Sequence, residues 1–253
     1  MPFTFAHPAL VLPFLNAKRT WFSATGLIAG SIVPDFEYFL RMRKGLSYYS
    51  HTWPGLFWFD LPFAVLLTLV FHAVVRTPLL QRLPAPIYSR LAPCALPNWP
   101  RTLRHRWLTI LLSILLGTLT HFGWDWFVHQ SSDYLFEHQR RLFALHELVS
   151  HSQVYAAVHL GHTLLGLAAI AWAIFRLPAL LAPTQNQGFS LKFWSLIALF
   201  TACMSSLRIK LGTDMYSQDW LVAVLSAFLL ALTLACLWLT LAKTSRSSSF
   251  DGS

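Results

Sequence analysis

The chain is poor in charged side chains, and this scarcity decides its class. Only 11% of its 253 residues are Asp, Glu, Lys or Arg, whereas 55% are hydrophobic. A soluble domain carries about 25% charged residues, so the composition predicts an integral membrane protein. Acidic residues are the scarcest, with 10 against 19 basic ones. In a membrane protein, a basic excess is typical of cytoplasmic loops.

Cysteine is also scarce, and the three cysteines exclude two kinds of site. Cys203 and Cys236 lie in apolar runs, and Cys94 lies in a Pro-rich basic loop. Because no Cys-x-x-Cys pair is present, neither a disulfide framework nor a thiolate zinc site is indicated. The chain also lacks a basic stripe interleaved with exposed aromatics, and we therefore expect no nucleic-acid binding.

Apolar stretches of the length that a bilayer requires predict five transmembrane helices. They cover residues 56–75, 107–128, 154–175, 190–207 and 219–241. The earlier apolar segment at 21–33 measures only about 20 Å as a helix, which is short for a hydrocarbon core of about 30 Å. The expected fold class is an all-α integral membrane helical bundle with five full spans and short N-terminal buried or re-entrant helices.

The expected domain organisation follows the polar motifs. We expect residues 1–175 to form a membrane domain that carries these motifs, and residues 176–243 to add two further transmembrane helices. Polar residues 130–153 are predicted to form an outer loop, and the Ser-rich stretch 244–253 is predicted to be disordered. Residues 76–106 hold six arginines and no acidic residue, so the positive-inside rule places them in the cytoplasm, together with the carboxyl terminus.

A polar stripe lies in the second predicted span. His121, Asp125 and His129 follow one another at steps of four, and each step advances only about 40° around a helix. Imidazole nitrogens and carboxylate oxygens are ligands that zinc accepts. An ionisable group inside a membrane span is costly to bury, so its presence favours a functional role. The alternative, that neighbouring helices simply hydrogen-bond these side chains, stays open at this point.

The predicted topology brings further candidate ligands to the same, outer side of the membrane. They lie at the start of the third span, in the loop before the first span, or in the N-terminal segment. This set comprises His7, Asp35, His51, His159 and His162. By the same logic His72 and His105 lie at the inner face, and we exclude them from a shared site.

Five motifs, in order and spacing, resemble a known family. They read Met1-Pro-Phe-Thr-Phe-Ala-His-Pro-Ala, Gly30-Ser-Ile-Val-Pro-Asp-Phe-Glu-Tyr-Phe, Ser50-His-Thr-Trp-Pro-Gly, Thr120-His-Phe-Gly-Trp-Asp-Trp-Phe-Val-His and Val158-His-Leu-Gly-His. Together they resemble a bacterial membrane family, domain of unknown function 4184, as far as about residue 175. Naming this family supplies no activity.

The order of the polar residues is similar to two groups of metal enzymes. One group is the bacterial membrane-bound metal-dependent hydrolases. The other is the soluble helical zinc phospholipases C and single-strand-specific nucleases, whose comparable series binds three zinc ions and hydrolyses phosphate esters. This resemblance implies metal ligands at His7, Asp35, His51, His121, Asp125, His129 and His159.

Two departures reduce the implied number of metal ions. The soluble enzymes use a processed N-terminal Trp as a ligand, where this chain has Met1. Their last His precedes a Glu by four residues, whereas His159 precedes Thr163. The resemblance therefore implies one or two ions of zinc or another divalent metal.

These expectations favour a metal-dependent hydrolase in the bacterial inner membrane, in contact with membrane lipids. Its substrate would be a phosphoester or an envelope lipid near the outer leaflet. The metal would activate water at neutral pH, and Glu37 or Glu147 would serve as the general base. Two other classes stay open: a transporter or ion-handling protein that passes protons or metal, and a non-catalytic envelope scaffold.

Overall fold

The computed structural model describes residues 3–15, 21–94, 99–143, 150–179, 188–212 and 217–250. Over these ranges the chain is helical and contains no β-strand, as the sequence predicts. A 3-10 helix, Thr4–Phe14, comes first. The helices that follow are α1 (Ala24–Ile32), α2 (Phe36–Arg41), α3 (Trp53–Leu80), α4 (Ala85–Leu91), α5 (Trp99–Phe143), α6 (His151–Arg176), α7 (Leu191–Leu211) and α8 (Ser217–Phe250).

Five stretches of the described helices are long and apolar enough to cross a membrane. They are Trp53–Leu80, Trp99–His138, His151–Arg176, Leu191–Leu211 and Asp219–Ala242. Each contains or closely overlaps one predicted span, so the predicted fold class is confirmed. The nine-residue helix α1 is too short to cross, because it measures about 14 Å at 1.5 Å per residue. The chain is a multi-pass membrane protein.

The long helices extend beyond the predicted apolar spans. Helix α5 is kinked at Arg106 (φ −128°, ψ 24°), next to the predicted start of the second span. It continues to Phe143, so the prediction of a loop over residues 130–153 was wrong for residues 130–143. Polar residues end the membrane-crossing part of a helix, but they do not by themselves end the helix. Helix α8 likewise continues to Phe250, into the stretch predicted to be disordered.

The chain divides into two compact units. The first contains Met1–Asp35, Tyr49–Val65 and Pro100–Arg176, and the second contains Phe36–Tyr48, Leu66–Trp99 and Leu177–Ser253. All seven ligands implied by the resemblance belong to the first unit. In the second unit, α7 and α8 pack through a core that includes Phe193, Ile197 and Ala231.

Backbone contact between α1 and α5 organises the first unit. A Cβ atom added at Gly30 would collide with the backbone of Ile114, and one added at Gly117 would collide with the carbonyl of Leu27. Small residues permit such close approach between helices in membranes. The hydroxyl of Thr118 donates to the Gly30 carbonyl across the same contact, at 3.3 Å. This contact fixes the end of α1 against the middle of α5.

The N-terminal 3-10 helix packs against α6. Gly166 leaves room for Ala6, which lies 2.9 Å from the position of an added Cβ. The Phe3 backbone N–H donates to the hydroxyl of Thr163 at 3.0 Å. Thr163 therefore anchors the N-terminal segment, and His7 lies buried at 1% exposure on the same 3-10 helix.

Candidate metal centre

Three histidines and two aspartates from separate segments meet inside the first unit. His7 comes from the N-terminal 3-10 helix, Asp35 from a second 3-10 helix (Val33–Asp35) that directly follows α1, and His51 from the loop before α3. His121 and Asp125 lie one turn apart on α5. The ligand atoms of His7, His121 and Asp125 lie within 4.8 Å of one another, and so do those of Asp35, His51 and His121. The two groups share His121, so five side chains form one cluster.

Backbone carbonyls orient two of the imidazole rings. The Nδ1 atom of His7 lies 3.2 Å from the Thr4 carbonyl oxygen, and the Nδ1 atom of His121 lies 2.8 Å from that of Ser31. Because a carbonyl only accepts hydrogen bonds, each Nδ1 carries the proton that it donates. Each Nε2 atom then points into the cluster. Metal-binding histidines usually have this arrangement, in which the other ring nitrogen donates to an oxygen.

His51 reaches the cluster from a strained backbone. Its φ angle is +53°, in the left-handed region that costs a residue with a side chain about 1–3 kcal/mol. The Ser50 hydroxyl lies 3.0 Å from its Nδ1 atom, and its Nε2 atom lies 3.3 Å from Nε2 of His121. Backbone strain of this kind persists only where the surroundings impose it, and it is concentrated at functional sites.

The distances between ligand atoms are close to those around a tetrahedral metal ion. Oδ1 of Asp35 lies 3.8 Å from Nε2 of His51 and 3.7 Å from Nε2 of His121. Oδ2 of Asp125 lies 3.7 Å and 3.6 Å from the same two nitrogens. Ligands bound about 2.0–2.1 Å from a tetrahedral zinc ion lie about 3.3 Å apart. A contraction of a few tenths of an ångström would bring the two nitrogens and either carboxylate oxygen onto one ion.

The two carboxylates give the cluster its negative charge. Asp35 is 3% exposed and Asp125 is 7% exposed. Oδ2 of Asp35 accepts a hydrogen bond from the Thr4 hydroxyl, but its buried Oδ1 has no hydrogen-bond partner among the described residues. Burying a carboxylate is costly unless it is paired or coordinates a metal. A cation bound between His51 and His121 would satisfy this oxygen, so the donor set fits a divalent ion.

Asp125 presents its two oxygens to different histidines. Its Oδ1 lies 3.3 Å from Nε2 of His7, whereas its Oδ2 faces His51 and His121. Burial lowers the pKa of His7, but the hydrogen bond with Asp125 and the charge of Asp35 outweigh it and raise the pKa above its usual value. Asp125 can therefore interact with two positive charges at once. One is a metal ion near His51 and His121, and the other is a proton on His7.

The structure does not bring His129 and His159 into the five-residue cluster. Nδ1 of His129 lies 3.3 Å from the Tyr155 hydroxyl, and the Tyr155 ring stacks on His159 with centroids 3.9 Å apart. Neither histidine belongs to the two ligand groups found among the described residues. They form a second polar cluster, which begins one helical turn beyond Asp125 on α5.

The two residues expected to act as general base have different outcomes. Glu37 lies in the second unit, where its Oε1 accepts from the Tyr48 backbone N–H at 2.8 Å and pairs with Arg41 at 3.4 Å. These contacts account for its burial without a catalytic role. Glu147 lies outside the described residues.

The remaining histidines considered from the sequence lie outside both ligand groups. His162 donates from Nδ1 to the Val158 carbonyl of its own helix at 2.9 Å. His72 stacks on Trp99 in the second unit with ring centroids 3.7 Å apart, and His105 is exposed near the start of α5.

Sequence reasoning missed the oxygen atoms that orient the cluster. The carbonyls of Thr4 and Ser31 and the hydroxyl of Ser50 carry no ligand signal in the sequence, because a carbonyl belongs to every residue. Tyr155 did carry a signal. It precedes His159 by four residues, so both side chains lie on one face of α6.

Comparison with known proteins identifies a family without an activity. The family described as domain of unknown function (DUF4184) matches residues 1–244. The match therefore continues well past residue 175, where the resemblance of the sequence motifs ended. No curated protein and no solved structure matches the chain. Because the match covers five transmembrane helices and every residue of the candidate metal centre, this protein belongs to the DUF4184 family.

Proposed function

We propose that the five-residue cluster binds one or two divalent metal ions, with zinc as the first candidate. The observation that carries this proposal is the convergence of three Nε2 atoms and two carboxylates in one buried place. Hydrogen bonding between helices would explain individual contacts. It does not explain why the buried Oδ1 of Asp35 faces two imidazoles without accepting a hydrogen bond from either.

We further propose that the activity is hydrolysis of a phosphoester or of an envelope lipid headgroup. A bound divalent ion supplies Lewis-acid chemistry, which makes water nucleophilic at neutral pH and stabilises charge on phosphoryl oxygens. His51 and His121 would hold the ion through Nε2, and Asp125 would balance its charge. Thr4 would hold Asp35 in position through its hydroxyl group. The similarity in residue order to metal-dependent hydrolases supports this choice of reaction.

The proposed location is the bacterial inner membrane, with residues 76–106 and the carboxyl terminus in the cytoplasm. The arginine-rich, acid-free stretch supports this orientation through the positive-inside rule. In that orientation the metal-binding end of α5 faces the outer leaflet. A site at this level suits the phosphate of a membrane lipid.

Asp125→Asn is the variant that tests hydrolysis. It removes a charge and a metal-binding oxygen while keeping the size of the side chain. We expect purified, zinc-loaded protein in detergent to release water-soluble phosphorylated headgroups from a bacterial lipid extract, or p-nitrophenol from bis(p-nitrophenyl) phosphate. The variant should be slower by about a hundredfold, and a chelator should abolish the wild-type activity until zinc is restored.

A matched control and a contrary outcome accompany this assay. His72→Ala removes a histidine from another span, outside the cluster, and should leave the hydrolysis rate unchanged. Because vectorial transport is impossible in detergent, hydrolysis observed there cannot result from ion transport. Zinc-loaded wild-type protein that hydrolyses neither substrate would contradict the proposed hydrolase activity.

The His51→Gly variant tests whether His51 is a metal ligand or only a structural residue. Glycine adopts positive φ freely, so the substitution relieves the backbone strain of about 1–3 kcal/mol at this position. We expect the variant to stay folded but to bind zinc at least about tenfold more weakly. Competition titration with a zinc chelator measures the affinity, and thermal unfolding measures the stability. Raised stability with wild-type zinc affinity would show that His51 is not a ligand.

A further inference from the structure

Two polar stripes run along α5 and α6. In each helix the residues of the stripe follow one another at steps of four and therefore share one helix face. They are His121, Asp125, His129 and Asp133 on α5, and His151, Tyr155, His159 and Thr163 on α6. The first five-residue cluster uses only the inner half of the α5 stripe.

The outer halves of the two stripes contact each other at successive positions. Nε2 of His151 lies 3.0 Å from Oδ1 of Asp133, and the Tyr155 hydroxyl lies 3.3 Å from Nδ1 of His129. Asp125 follows one helical turn further along α5 from His129. We call this line the α5–α6 seam and define it as Asp133, His151, His129, Tyr155 and His159.

Exposure falls along the α5–α6 seam. At its outer end the side chains of Asp133 and His151 are 64% and 50% exposed. At its inner end His159 is 8% exposed, Asp125 is 7% exposed and His121 is fully buried. The seam therefore runs from an exposed end to buried residues one helical turn from Asp125 of the candidate metal centre.

The chemistry of the seam suits a cation. Carboxylates lie at both ends, at Asp133 and Asp125, and imidazoles and a phenol lie between them. An anion would be repelled at both ends, whereas imidazole nitrogens and carboxylate oxygens are ligands of zinc. Packing between membrane helices typically uses small residues and individual hydrogen bonds, whereas polar side chains recur at successive turns of both stripes. A buried metal site, in contrast, requires an entry path.

We propose that the α5–α6 seam is the path by which a divalent cation reaches the buried cluster, with a transfer site at His129, Tyr155 and His159. This inference rests on the proposed metal binding. Asp133 and His151 collect the ion from water. His129 and His159 bind it transiently through their imidazole nitrogens, and Asp125 receives it at the inner end.

A residue on an entry path has a kinetic signature that differs from that of a ligand. Because the ion leaves by the path through which it enters, loss of a path residue slows association and dissociation by the same factor. The dissociation constant then stays the same. Loss of a ligand instead weakens affinity, mainly through faster dissociation. A residue needed only for packing changes the unfolding temperature and neither rate.

The experiment measures both rates on the full-length protein in detergent. Protein stripped by a chelator is mixed with Zn²⁺ and a fluorescent zinc indicator, and release is followed after loaded protein is mixed with excess chelator. We expect His129→Ala and Asp133→Asn to slow uptake and release by about tenfold each, with unchanged zinc stoichiometry. Asp133 is exposed, so its substitution leaves the packing intact. His105→Ala, at the opposite end of α5, should show wild-type rates.

Three results would overturn the path. Wild-type rates of zinc uptake and release in both variants would refute the path but would not contradict the metal centre. Lost zinc stoichiometry in His129→Ala would also refute it, because His129 would then be a ligand of the bound ion. Wild-type protein that takes up no zinc would refute the metal centre and the path together.

Discussion

Replacing His121 with alanine is expected to abolish stable zinc binding. His121 is fully buried and belongs to both groups of ligand atoms, and the Ser31 carbonyl fixes its ring. Its loss removes a nitrogen ligand and leaves two buried carboxylates without the imidazole between them. The affinity should fall by about a hundredfold or more. Elemental analysis of protein purified from zinc-replete cells measures this effect.

The control for His121→Ala is His72→Ala, which removes a histidine that stacks on Trp99 in the second unit. That variant should retain the wild-type zinc content. Full zinc content in His121→Ala would move the site elsewhere in the protein. A wild-type protein without zinc would contradict the metal binding on which the proposed hydrolase activity depends.

Replacing Gly30 with valine should disrupt both the fold of the first unit and the metal centre. A side chain at this position meets the backbone of Ile114, which cannot move aside as a flexible side chain would. Overpacking of this kind costs about 3 kcal/mol. Ser31 lies next to Gly30 on α1, and Asp35 ends the 3-10 helix that follows. Displacing α1 would therefore also move the Ser31 carbonyl away from His121 and move the Asp35 carboxylate out of the cluster. The unfolding temperature in detergent and the zinc content should therefore both be lower in this variant.

Gly123→Val is the matched control for the α1–α5 contact. Gly123 lies on the same helix as Gly117, but a Cβ atom added there would meet nothing within 4 Å. This variant should keep its stability and its zinc. If Gly30→Val were as stable as the wild type and bound zinc equally well, the close contact between α1 and α5 would be refuted.

The elements that the sequence predicted well are those that depend on periodicity. Apolar length predicts the five spans because the bilayer imposes a minimum helix length. The step of four between His121 and Asp125 places both side chains on one face of α5. The short length of α1 agrees with the limited apolar run at 21–33. Pro34 does not break the helical path, because Val33 is helical (φ −61°, ψ −35°) and a 3-10 helix leads from α1 into α2.

The elements that the sequence did not predict depend on rotation and on local backbone geometry. His129 lies about 12 Å beyond His121 along α5, so it contacts Tyr155 on α6 instead of the cluster. The polar residues 130–143 resembled a loop in sequence but extend α5, which hid the alignment of Asp133 with His151. The positive φ of His51 depends on its surroundings, and the residue type alone does not predict it.

The central claim is that a metal ion binds between the Nε2 atoms of His51 and His121. Anomalous diffraction from crystals of zinc-loaded protein, measured above and below the zinc absorption edge, locates such an ion directly. The account predicts a peak that appears only above the edge, about 2.0–2.1 Å from both nitrogens and in contact with a carboxylate oxygen of Asp35 or Asp125. Zinc found at a place where it contacts neither His51 nor His121 would contradict the account.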